Sequence, residues 1–176
     1  MYAGHLGIAL AGKGVRRDAP LWLFVLATQG CDWVQVFACV AAPAGTAAMW
    51  SHSIPAVGAL AAVLSLSSYL LTRDRVVALL AGAITVSHAL ADYVTGLKPT
   101  WPGGPTIGLD LYNSHPFGDL VIEAGVVTAC WLVYRRSLPP ESRARRLTWL
   151  LLVALVGIQL VGVLELALLP PTPKCG

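Results

Sequence analysis

Thr85, His88, Asp92 and Thr95 have the residue types and the spacing that chemistry needs. They lie in RVVALLAGAITVSHALADYVTG, residues 75–96. On a helix they fall within an arc of about 80°. The stretch around them is almost wholly apolar and about 22 residues long, enough to cross a bilayer. A His and an Asp four apart in such a span project the same way. Charge at mid-bilayer costs roughly 2.5–3.5 kcal/mol on insertion scales, so an intramembrane ionisable pair points first to function. The plainer alternative is a hydrogen-bonded pair that holds two helices together.

His115, Asp119 and Glu123 repeat this spacing, again within about 80° of arc. Two spans therefore each offer a His and an Asp on one face, the donor types of zinc and manganese sites. Several buried carboxylates would repel one another, and a divalent cation makes them mutually favourable. Asp32 falls near the middle of an earlier span, His52 at the start of another, and His5 near the N-terminus. The chain has four histidines, and every one lies near carboxylates at a similar expected depth. The expected metal ligands are His88 and Asp92, with some of His5, Asp32, His52, His115 and Asp119. Asp92, Asp119 and Glu123 are the candidate proton acceptors. No HExxH, GxSxG or P-loop is present.

Each residue has a plainer role open to it. His52 can be an interfacial histidine beside a capping serine, and Asp32 polar glue with Gln29. His5 and His115 can be solvated. Asp119 suits the first turn of a helix. Glu123 can pack helices or orient a ligand histidine. Asp110 and Glu165 are assigned structural roles.

The elements that would position these residues follow from composition. Of 176 residues, 56% are hydrophobic and 12% charged. That describes one integral membrane domain over residues 1–176 rather than a soluble globule. The expected fold is all-α, a bundle of about five transmembrane helices plus a short N-terminal half-helix. The half-helix covers residues 2–12, with Gly12 a possible C-cap. Spans are expected at about 20–42, 53–71, 75–96, 115–134 and 146–169. Asp18, Ser53 and Ser114 are candidate N-caps, with Pro20, Pro55 and Pro116 in first turns. Residues 97–114 form a Pro/Gly-rich loop expected to close over the polar cluster. Pro170 and Pro171 stop the last span. Cys31, Cys39, Cys130 and Cys175 show no CxxC spacing, and the three in spans read as buried small hydrophobes. No cleavable signal peptide is expected, because the basic residues of MYAGHLGIALAGKG follow the apolar run. No basic patch with interleaved aromatics points to nucleic acid.

Orientation follows from the twelve Lys and Arg residues. With the stretch before the first span in the cytoplasm, Lys13, Arg16, Arg17, Arg73, Arg75, Arg135, Arg136, Arg143, Arg145 and Arg146 lie inside. Only Lys98 and Lys174 lie outside. The acidic residues within spans then occupy the midplane or the outer half. Trp50, Tyr93, Trp101 and Tyr112 read as an interfacial belt.

A family resemblance adds to this. GHLGIALA with His5, LATQGCD ending at Asp32, Ser51-His52-Ser53-Ile54, and Ser87-His88-Ala89-Leu90-Ala91-Asp92 occur in a characteristic order. Over about residues 3–120 the chain resembles the membrane-bound metal-dependent hydrolases, the LexA-regulated inner-membrane hydrolase-like family. That family carries a Pro-Asp-x-Asp segment and Thr-His-Ser-Leu. Here these are Gly30-Cys31-Asp32-Trp33, with one acid instead of two, and Ser51-His52-Ser53-Ile54. The resemblance implies an inner-membrane protein with zinc or another divalent metal on these His and Asp residues.

Three function classes remain. The first is a metal-dependent hydrolase at the outer face, acting on a phosphoester or lipid-linked substrate. The second is a cation or proton relay in a transporter, which needs polar residues through the inner half as well. The third is a non-catalytic anchor or scaffold for other membrane subunits.

Overall fold

The computed structural model describes residues 3–41 and 46–168. They form an all-α bundle. Helix α1 (Ala3–Val15) leads into α2 (Leu21–Ala41), the short α3 (Ala47–Ser51), α4 (Ile54–Thr72) and α5 (Arg75–Thr95). A small hairpin follows, β1 (Lys98–Pro99) against β2 (Thr106–Ile107), then the short α6 (Leu111–Ser114). The chain ends with α7 (Pro116–Ser137), α8 (Pro140–Arg143) and α9 (Arg146–Leu168). Helices α2, α4, α5, α7 and α9 are long and apolar enough to cross a membrane, as in a multi-pass membrane protein. The expected stop at Pro170 and Pro171, the outer Lys174, Cys175 and residues 43–45 of the first loop lie outside the described residues.

Helix α1 is packed inside the bundle. Its Ala9 shares a core with Leu23, Phe24, Ala27, Ala81 and Ile84, while Ala3 and Leu10 pack with Val127 and Leu155. Small residues allow this. A Cβ on Gly7 would lie 3.0 Å from Val127 Cα, and one on Gly14 would lie 2.9 Å from Tyr134 Cα. Backbones that approach so closely gain dispersion contacts that lipid tails cannot supply. Gly12 lies within α1 against Phe24 and Ile84, so it is not the C-cap that the sequence suggests.

The turn from α4 to α5 has a local cause. Arg73 adopts the left-handed conformation at the end of α4, with φ 56°. Asp74 then caps α5, accepting from Val76 N at 2.8 Å and Val77 N at 3.3 Å, which satisfies first-turn donors. Arg16 forms an ion pair with Asp74, tying the end of α1 to this turn.

At the opposite end the hairpin is stitched to the helices. Ile54 N donates to Thr100 O, and Leu109 N donates to Tyr93 O, each at 3.0 Å. Gly108 has φ 146°, and a Cβ there would collide with Gly96 O, so only glycine fits. Cys31 is buried and free, Cys130 is half-buried and free, and Cys39 is disulfide-bonded rather than a small hydrophobe.

Candidate metal centre

Three segments bring four donors together. Thr85 Oγ1 donates to Ala27 O at 3.0 Å, which sets those residues at one level of α5 and α2. Counting from there toward the C-terminus of α5 at 1.5 Å per residue, His88 lies about 4.5 Å on, Asp32 about 7.5 Å and Asp92 about 10.5 Å. His52 enters from the turn between α3 and α4. Asp32, His52, His88 and Asp92 each offer one ligand atom, and those atoms all lie within 4.8 Å of one another.

Their spacing fits a metal. His52 Nε2 lies 3.3 Å from His88 Nε2, 3.4 Å from Asp32 Oδ1 and 3.0 Å from Asp92 Oδ2. His88 Nε2 lies 3.7 Å from Asp32 Oδ1 and 3.5 Å from Asp92 Oδ2. Zinc–ligand bonds of about 2.0–2.1 Å imply tetrahedral edges of about 3.3–3.4 Å. Five of the six donor separations are therefore close to such edges, and the sixth, between Asp32 and Asp92, is within 4.8 Å.

Neighbouring groups orient them. Ser51 Oγ donates to Ala47 O at 3.3 Å, leaving its oxygen to accept His52 Nδ1–H at 2.7 Å. That tautomer turns the lone pair of Nε2 toward the other donors. His5, on α1, stacks on His88 with ring centroids 3.8 Å apart. Burial pushes the His5 imidazole down to about 4, so the ring is neutral. Its Nε2 donates to Asp92 Oδ1 at 3.2 Å, which leaves Oδ2 for the cluster. His5 thus holds a donor in place and is not itself among the four. Lys98 Nζ, at the base of the hairpin, lies 3.1 Å from Asp92 Oδ2. The loop 97–114 therefore does reach the cluster. The His52 and His88 side chains are fully buried and Asp92 nearly so, whereas the Asp32 side chain is 40% exposed.

The α7 residues do not join them. Pro116 opens α7 and leaves His115 outside the helix, with φ −143° and ψ 67°, because the residue before proline avoids the helical region. The arc expected for His115, Asp119 and Glu123 therefore breaks at its first member. His115 is exposed, with Nδ1 3.0 Å from Ser114 Oγ, and Ser114 belongs to α6 rather than capping α7.

Asp119 and Glu123 are fully buried but serve α1. Gly4 N donates to Glu123 Oε2 at 3.2 Å, Ala3 N donates to Gln159 Oε1 at 3.3 Å, and Gln159 Nε2 donates to Asp119 Oδ2 at 3.4 Å. The first N–H groups of a helix have no partner in their own helix. Here α1 begins inside the bundle, where water cannot supply one. Asp119, expected as a metal ligand, and Asp119 and Glu123, expected as proton acceptors, thus lie against the start of α1 and outside the group of four donors.

Sequence reasoning missed the helix-capping part of Gln159 and the orienting part of Ser51. A lone Gln in an otherwise apolar span was the available signal for the first. Asp110 stands before α6 at φ 51°, where its side chain accepts from Asn113 Nδ2 at 2.7 Å, and Glu165 is exposed on α9.

No protein-family model, curated protein or solved structure matches the chain.

Proposed function

We propose that His52, His88 and Asp92, with Asp32 beside them, form a site for a divalent metal, zinc first, and that the chain is a metal-dependent hydrolase of the inner membrane. In this reading it acts at the outer face on a phosphoester or lipid-linked substrate and is a member of the family it resembles. One observation carries the proposal, the convergence of two imidazole and two carboxylate donors within an apolar bundle, the imidazole nitrogens lying 3.0–3.7 Å from each other and from the carboxylate oxygens. The Lys and Arg asymmetry supports the outer location. So does the disulfide at Cys39, because disulfides persist in oxidising compartments.

When bound, the metal supplies a water of lowered pKa. Water adds to phosphorus, the bond to the leaving alcohol breaks, and the alcohol oxygen takes a proton. The chain's own residues fill the remaining roles. Ser51 fixes the tautomer of His52, and His5 fixes the rotation of Asp92. Lys98 is the cation positioned to receive an anionic group. In the hydrolytic reading Asp32, the exposed carboxylate, stays off the metal, which would leave a position for water, and takes the proton, a role the sequence suggested for Asp92, Asp119 or Glu123.

A second reading has its own support. Four protein donors that complete a tetrahedron describe a closed, structural site, which suits a non-catalytic anchor for other membrane subunits. Elemental analysis of gently purified protein, with phosphoesterase assays before and after chelation, separates the two. Near one equivalent of metal with chelator-sensitive hydrolysis supports the enzyme. Metal that raises Tm without any hydrolysis supports the anchor. Protein that holds no metal and does not respond to added zinc or manganese removes the hydrolase reading and leaves the anchor or the relay. Cysteines introduced at 104 and 142 test the orientation. An impermeant thiol reagent should label the first and not the second in intact cells.

A further inference from the structure

The ion pair between Lys98 and Asp92 engages an oxygen that the cluster also uses. Asp92 Oδ2 lies 3.0 Å from His52 Nε2, 3.5 Å from His88 Nε2 and 3.1 Å from Lys98 Nζ. Asp92 Oδ1 is taken by His5. The ammonium and a metal held with His52 and His88 would therefore draw on one carboxylate oxygen. Both on that oxygen at once, they would stand roughly 4–5 Å apart, given a metal–oxygen bond of about 2.0–2.2 Å. Like charges that close repel strongly where water does not screen them. Little water does so here, since the Lys98 side chain is 20% exposed and that of Asp92 3%. The backbone around Lys98 is held in place. Lys98 pairs with Ile107 in the hairpin, Pro99 O accepts from the Tyr93 hydroxyl at 3.1 Å, and Thr100 O accepts from Ile54 N. The ammonium itself stands at the end of a flexible four-carbon stem. Nζ can leave Asp92 by side-chain rotation while the hairpin keeps its position.

We infer that Lys98 is a built-in counter-cation that competes with the metal for Asp92 Oδ2. With Lys98 on Asp92, the buried carboxylate is neutralised and the site holds metal less tightly. With metal on Asp92, the ammonium swings off the oxygen, and the mouth of the site gains a free cation. This rests on the reading of the cluster as a metal site and adds what controls its loading. A lysine that stays on Asp92 and supports it as a ligand would have the opposite sign. Outer partners of ligating groups normally strengthen metal binding, and losing one costs about 10–100-fold in affinity.

The test uses the full chain in phosphatidylcholine nanodiscs, with zinc as the probe. Zinc affinity is read by competition with a chromogenic chelator. Release of Lys98 is read as its acetylation by a water-soluble succinimidyl ester, followed by peptide mass spectrometry. Lys13, whose amine donates to Arg17 O and Ala19 O, is the internal reference. Lys98→Met keeps most of the stem and removes the charge, whereas Lys98→Arg keeps the charge. Lys98→Met should bind zinc about tenfold or more tighter than the wild type, and Lys98→Arg should stay near it. Metal-free Lys98→Met should have a lower Tm, because Asp92 loses its counter-charge. In the wild type, zinc should speed acetylation of Lys98 severalfold and leave Lys13 unchanged. Zinc affinity that is equal or lower in Lys98→Met overturns the competition and leaves the metal reading standing. A higher affinity with no change in Lys98 acetylation makes the lysine a bystander charge and overturns the exchange in the same way. Zinc bound by Lys98→Met alone sustains both the metal site and the competition. Zinc bound by neither protein removes the metal reading and the competition with it.

Discussion

Two groups of buried acids sit in this bundle, and they end differently. One comprises Asp32 and Asp92 with His52 and His88. The other comprises Asp119 and Glu123 with Gln159. In the first, ring nitrogens and carboxylate oxygens converge on one another at 3.0–3.7 Å, and one member is exposed. In the second, Glu123 accepts from the backbone of α1, Gln159 bridges that backbone to Asp119, and all three side chains are buried. Spacing does not separate them, since His88/Asp92 and Asp119/Glu123 share the i, i+4 pattern. What separates them is the partner each face meets. The α5 face meets other side chains with lone pairs, whereas the α7 face meets the unpaired N–H groups of a helix start. A buried carboxylate is kept by whichever compensation lies nearest.

This contrast can be broken experimentally. The largest effect should come from His88→Ala or Asp92→Ala. Each removes a donor, and metal affinity should fall by more than about a hundredfold, read by competition with a chromogenic chelator. Ser51→Ala should come next. It leaves all four donors in place but frees the tautomer of His52, and a loss of about 10–100-fold in metal affinity is expected. Ser51→Thr should restore most of it, and an unchanged affinity in Ser51→Ala would remove the orienting role.

Glu123→Leu should behave in the opposite sense to these. Metal content stays at the wild-type level while thermal or denaturant unfolding shows a loss of about 1–3 kcal/mol, the cost of stranding Gly4 N. Metal loss in Glu123→Leu without such destabilisation would return α7 to the metal site. The smallest effect is assigned to His115→Ala, which should change neither metal content nor stability beyond about 0.5 kcal/mol.

Much of the fold was legible because hydropathy and length together mark helices that can cross a membrane. The starts of α4 and α7 carry Pro55 and Pro116 in their first turns as expected, whereas the Asp74 cap of α5 was not among the expected caps. The burial of α1 was less legible. Thirteen residues are too few to span, and GHLGIALAGKG suits an interfacial helix as well as a buried one. Only the close backbone approach at Gly7 and Gly14 decides between them. The cluster was legible in part. His88 and Asp92 follow from a single helix, but Asp32 and His52 come from other segments, and no local spacing brings them near. His115 misled because Pro116 keeps it out of the helical region, so helical spacing does not fix where it points.

The sequence by itself determined an all-α chain with five membrane-length helices and a His–Asp pair on one of them, since periodicity and apolar length are local properties. Which polar residues meet was decided only by the tertiary structure. The insertion of α1 brought His5 onto His88 and Asp92, and it drew Asp119 and Glu123 away to its own start. The reason is that polar groups buried in an apolar bundle have no water to turn to, so each binds the nearest complementary group, and helix packing chooses that neighbour.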